Sequence, residues 1–232
     1  MYYFALLQTP QRELTPEQGQ AEMQAYGDFH AREHSAIRGG DALAPVAEGV
    51  RISGGADAPL VTDGPFAEGA EVAGGYYVFE ADDLDEALRL ARQIPAAQYG
   101  AVEVWPMLYW NAPEQPTTGQ DWLALLLEPA GSVTEPGSAE WDAGARRHAE
   151  FHAAAGEHVL GGAPLHPPTT ATTVRVRDGE VLLTDGPFAE GAEVANGFYL
   201  LRAADRDEAT KIASMIPASA VQLRRLAGIA GL

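Results

Sequence analysis

The sequence predicts an α+β fold in which two copies of one β-α-β-β-α-β unit pack sheet against sheet. Three observations carry that expectation. Thr62 through Ala73 returns unchanged as Thr184 through Ala195, an offset of 122 in a chain of 232 residues, so the chain is two copies of one unit. Each copy alternates strand-like and helix-like segments in the same order. The strands that open the copies are apolar at consecutive positions, which marks strands covered on both faces.

The elements follow in order. Tyr2–Gln8 and Trp122–Glu128 are the opening strands. Thr15-Pro16-Glu17-Gln18 then offers an N-cap, a proline at the first helical position and a capping-box glutamine. The first helix is expected to end at Gly39-Gly40, and at Gly161-Gly162 in copy two, as a C-cap. A hairpin comes next, with Ala171–Arg177 and Glu180–Thr184 flanking an Asp178-Gly179 turn. After the shared motif, Gly75–Ala81 and Gly197–Ala203 read as strands. The second helix starts at Asp83 or Asp205, where aspartate caps and acidic first turns suit the helix dipole, and stops at Pro95 or Pro217. Ala101–Trp105 and Val221–Arg225 close the units.

This order is the ferredoxin-like plan with an extra hairpin turn. Both helices of such a unit lie on one face of its sheet. The bare face is covered most economically by the sheet of the other copy, with four helices outside. The divisions are expected at 1–110 and 121–232, joined by a polar Pro- and Thr-rich linker over 111–120.

Composition narrows the function. The formal net charge is -18, from 15 basic against 33 acidic residues, so nucleic acid is not an expected partner. One lysine and no apolar run of spanning length leave no membrane partner in view. Cysteine is absent, which excludes disulfides, thiol nucleophiles and thiolate metal sites. The start of the chain lacks a basic segment followed by an apolar run, so a soluble, cytoplasmic protein is the expectation. There is no glycine loop opening a helix and no Gly-x-Ser-x-Gly elbow, and no cofactor is expected.

The repeated Thr-Asp-Gly-Pro-Phe-Ala-Glu resembles the YCII-related proteins of the DGPF type. So do the Gly-Gly-Tyr-Tyr or Asn-Gly-Phe-Tyr that follows it and the acidic-capped helix ending Ile-Pro-Ala. The resemblance covers both copies nearly end to end. It implies the dimeric α/β-barrel fold, assembled here within one chain where single-copy members use two. Related YCII proteins are proposed to use a His–Asp pair, and some act as cofactor-free lyases or dehalogenases. The wider superfamily includes cofactor-free monooxygenases and isomerases. Two departures stand out. Members commonly continue the motif as Thr-Lys-Glu, where this chain has Gly69-Ala70-Glu71. The YCII histidine aligns with Met23 and Ala145.

Two groups of residues are candidates for a site. Asp63 and Asp185, with Phe66, Phe188, Glu68 and Glu190, belong to the repeated loop. They read either as a turn with a core-plugging phenylalanine or as carboxylates at a pocket mouth. His30 falls on the apolar stripe of the first helix with Met23, Tyr26 and Ile37, and its counterpart is His152, four residues after His148. A histidine in both copies on a sheet-facing stripe is either an acid–base group or a core residue bonded to a carbonyl. The i, i+4 spacing of His148 and His152 permits a shared metal, but no zinc-protease glutamate follows, and no metal is assigned.

Copy two is the expected carrier of any site, because it has His148 where copy one has Tyr26. His152 is then the acid or base, His148 its partner, and Asp185 an orienting carboxylate. Two functions remain open. One is a small-molecule binder, with cofactor-free lyase, isomerase or oxygenase chemistry as its extension. The other is a regulatory or assembly protein that uses its acidic surface or forms a further homodimer.

Overall fold

The computed structural model describes residues 1–64, 71–187 and 193–229. Phe66, Glu68, Phe188 and Glu190 lie outside the described residues. Copy one runs β1 (Tyr2–Pro10), α1 (Pro16–Glu33), β2 (Ile37–Ala42), β3 (Val50–Ser53), β4 (Leu60–Asp63), β5 (Glu71–Glu80), α2 (Leu84–Ala91), α3 (Ala96–Tyr99) and β6 (Ala101–Pro106). Copy two runs β7 (Asp121–Pro129), α4 (Ala139–Ala155), β8 (Val159–Pro164), β9 (Thr172–Arg177), β10 (Glu180–Asp185), β11 (Glu193–Arg202), α5 (Arg206–Ala213) and β12 (Ala220–Arg225).

Two antiparallel six-stranded sheets result, in the orders β10-β9-β6-β1-β5-β2 and β4-β3-β12-β7-β11-β8. The central four strands of each, β6-β1-β5-β2 and β12-β7-β11-β8, come from one copy in ferredoxin-like order. The outer two come from the other copy. The β3–β4 hairpin pairs with β12, and the β9–β10 hairpin pairs with β6. The copies have exchanged hairpins.

Alternation explains the doubly apolar strands. Tyr3, Ala5 and Leu7 of β1 face the helices, while Phe4 and Leu6 face the other sheet. The layer between sheets joins Phe4, Tyr76, Val78 and Trp105 to Leu123, Leu125, Phe198 and Leu200, with the Phe4 and Phe198 rings stacked at 4.4 Å. The exchanged hairpins contribute to the other copy's helix layer. Val174 and Val176 pack under the helices of copy one, and Val50 and Ile52 under those of copy two. Ion pairs hold them there: Arg175 grips Glu71 with both nitrogens at 3.2 and 3.1 Å, and Arg51 bonds Glu193. Bridges between Met107 and Leu165 and between Leu43 and Leu226 stitch the corners where the sheets meet.

The helix caps match the expectation. Thr15 and Gln18 form the capping box, and Asp83 and Asp205 accept from the first-turn amides of Glu86 and Glu208. Three expectations are corrected. Gly39-Gly40 and Gly161-Gly162 do not cap helices; they lie within β2 and β8. Strand packing requires the glycine: a Cβ on Gly40 would lie 2.7 Å from the Tyr77 ring and 2.8 Å from the Tyr76 carbonyl. Met23 is not part of a buried stripe but 63% exposed, because Phe29 anchors α1 instead. Finally, copy one inserts the short α3 between Ile94-Pro95 and β6, an element copy two lacks.

Candidate functional site

Phe151, on the buried side of α4, packs against Tyr199 of β11 with ring centroids 5.1 Å apart. This anchor brings the residues on either side of it toward the same tyrosine. His148, three positions earlier, places Nδ1 at 2.9 Å from the Tyr199 hydroxyl. His152, one position later, meets the Tyr199 ring edge-on at 5.2 Å. His148, His152 and Tyr199 together line a cavity of about 580 Å³ between α4 and the sheet. Trp141, Gly144 and Arg147 of α4 also line it, with Phe198 of β11 beneath, Tyr109 and Asn111 from the segment after β6, and Pro217 at one end.

Burial sets the protonation states. Desolvation, with the nearby Arg147 and His152, pushes His148 down to about 4, and desolvation also lowers His152. Burial raises the Tyr199 phenol. Near neutral pH the cavity therefore presents neutral imidazoles and a protonated phenol. The pH dependence of stability has a definite sign. Between the unfolded value near 6.5 and the folded value near 4, the unfolded chain binds more protons at position 148, so stability falls as pH drops through that window. Thermal melts from pH 7 to pH 4 should show a smaller loss in His148→Asn than in the parent, and equal losses would exclude His148 as a source.

Copy one is built differently at the corresponding place. His30 Nε2 lies 2.6 Å from the Tyr77 hydroxyl. Tyr26, where copy two has His148, points its hydroxyl at that of Tyr99 at 3.1 Å. Tyr99 donates to Glu22, and the Arg12 guanidinium lies 3.8 Å above the Tyr99 ring while pairing with Glu22. Desolvation pushes Tyr26 up to about 12. Tyr26, expected among binding residues, is thus spent on a contact within the protein.

The aspartates of the repeated loop fall away from the histidines. Asp185 was expected to orient His148 and His152. It lies on β10 in the first sheet, exposed and opposite Thr172, because the hairpin carrying it is exchanged. Asp63 ends β4 in the second sheet and pairs with Arg206 at the start of α5, clamping the exchanged hairpin. Neither lines the cavity. Sequence reasoning did not single out Tyr77 and Tyr199. Their signal was a tyrosine kept at the offset of 122 on a helix-facing strand position. Among the described residues, no group of three or more His, Asp or Glu side chains converges as a metal set.

Comparison with known proteins adds three findings. The YCII-related domain matches residues 1–111 and again 130–224. An uncharacterized protein of Rhizobium meliloti (strain 1021) is 49% identical over 51 residues, which cover 22% of this chain and 41% of that protein. A crystal structure described as a chlorite dismutase candidate aligns over 97% of this chain and 94% of its own, with 6% identity and a TM-score of 0.41. Both repeats carry the match, and the chain belongs to the YCII-related domain family, in tandem.

Proposed function

We propose that copy two is a small-molecule site performing acid–base chemistry, with copy one as its structural partner. The supporting observation is the cavity of about 580 Å³ on which His148, His152 and Tyr199 converge, within the size range of ligand pockets. In the tautomer where His148 Nδ1–H donates to the Tyr199 oxygen, the phenol proton is free for a ligand and Nε2 keeps an open lone pair. Tyr199 then supplies a hydrogen bond to developing negative charge on a ligand oxygen, and His152 at the mouth accepts a proton from the ligand. His148 is the positioning residue. Lyase and isomerase reactions of this kind need only a proton moved from one atom of the ligand to another.

Ala145→Trp tests the reading. Ala145 lines the cavity from an exposed helix position, so the larger ring should fill the space without disturbing the core. Compounds found by ligand-observed NMR on the parent protein should lose at least about tenfold in affinity, a displaced contact of roughly 1.4 kcal/mol. Ligands that bind Ala145→Trp unchanged would place the site elsewhere.

A second reading, self-association, has its own observation. β10 is an outer strand with Val181, Leu182 and Leu183 exposed by 41, 47 and 54%, and no lysine or proline blunts it. Antiparallel pairing with β10 of another copy would set Glu180 against Asp185. Sedimentation should therefore show association that strengthens with salt and is lost in Leu182→Lys. A monomer at every salt concentration removes this reading.

A further inference from the structure

We infer that the ligand of the copy-two cavity is a hydroxylated aromatic compound, because copy one carries a phenol of its own in the matching place. This rests on the reading of that cavity as a binding site. In copy one the Tyr99 ring is held against α1 by the Tyr26 hydroxyl, with Glu22 accepting from its oxygen. At the offset of 122, Tyr26 becomes His148 and Glu22 becomes Gly144, and both line the cavity. Pro95, which precedes the α3 turn carrying Tyr99, becomes Pro217, and it lines the cavity as well. From there the two copies diverge. Copy one continues through α3 into β6 at Ala101, whereas copy two enters β12 at Ala220 with no such turn. The cavity is thus bounded by the counterparts of the residues around Tyr99, with the tyrosine itself deleted.

The chemistry of the walls agrees with such an occupant. His148 stands where Tyr26 meets the phenol oxygen in copy one. With Nδ1 engaged by Tyr199, its Nε2 is left to accept from a ligand hydroxyl. Trp141 and Tyr109 offer ring faces and edges to an aromatic body. The volume exceeds that of one ring, so the natural ligand is larger than the tyrosine side chain it replaces.

The test uses the full chain with p-cresol, the side chain of tyrosine in free form, against toluene and benzoate, followed by NMR titration. p-Cresol should bind saturably and at least about tenfold more tightly than toluene, the effect of one hydrogen bond. His148→Leu should remove that preference while leaving toluene affinity in place. Tyr99→Ala should create the equivalent vacancy in copy one and raise the p-cresol stoichiometry from one to two. Toluene or benzoate binding as tightly as p-cresol, and being blocked by Ala145→Trp, would overturn the phenol assignment and leave the cavity reading standing. A Tyr99→Ala protein that folds but takes up no second equivalent would overturn the template argument. No saturable binding by any of the three compounds would overturn both readings.

Discussion

Residues 1–110 produced alone are expected to give no folded monomer. That fragment keeps β6-β1-β5-β2 but loses β9 from its edge, and with it Val174 and Val176 from the layer under its helices. Its own β3–β4 hairpin loses β12, the strand it pairs with. Glu71 loses Arg175. The face bearing Phe4, Leu6, Tyr76, Val78 and Trp105 loses the opposing sheet. Exposing such a face removes the main favourable contribution to folding, and the intact chain avoids this by holding the second copy at high effective concentration. Sedimentation and far-UV circular dichroism should show the fragment aggregated or paired with itself, and adding residues 111–232 should restore a compact, cooperatively melting species. A monomeric fragment with a cooperative melt would falsify the claim that the exchanged hairpins make the two copies interdependent.

The largest effect of a single substitution is expected at the centre of the sheet-to-sheet layer. Phe4 is fully buried, stacked on Phe198 and 5.8 Å from Tyr76. Phe4→Ala removes a ring that touches both sheets and leaves a cavity that neither sheet can close without bending. The cost should be about 4 kcal/mol, or on the order of 10 °C in Tm for a chain of this size. Met23→Ala is the contrast. The sequence pattern put Met23 on a buried stripe, but it is 63% exposed, and its replacement should change stability by no more than about 0.5 kcal/mol. Chemical denaturation of both variants decides the matter, and similar losses in the two would mean that the layer between the sheets is not the main core.

Several features of this protein are dictated locally and were legible in the sequence. The repeat offset, the Thr15 capping box, the Asp83 and Asp205 caps and the Asp178-Gly179 turn, with φ of 52 and 82°, each depend on residues a few positions apart. The consecutive apolar residues of β1 and β7 predicted two covered faces, because period-two alternation leaves no other use for them. The place of His30 and His152 beside a sheet followed from helical spacing.

Tertiary structure decided the rest. The two hairpins follow equivalent strands, and nothing in their local pattern says whether each returns to its own sheet or crosses to the other. The choice lies in long-range partners such as Arg175 with Glu71 and Val174 with Val102. That crossing carried Asp185 away from His148 and His152, so a carboxylate expected beside the histidines stands on the opposite sheet. Gly39-Gly40 looked like a helix stop because glycine serves both a left-handed cap and a close strand approach, and only the Tyr76 and Tyr77 contacts distinguish the two. The pairing of His148 with Tyr199 joins residues 51 positions apart, so no local spacing could show it. The absent turn after Pro217 was visible as a length difference between the copies. Its consequence, an open cavity where copy one holds Tyr99, depended on where that ring sits in three dimensions.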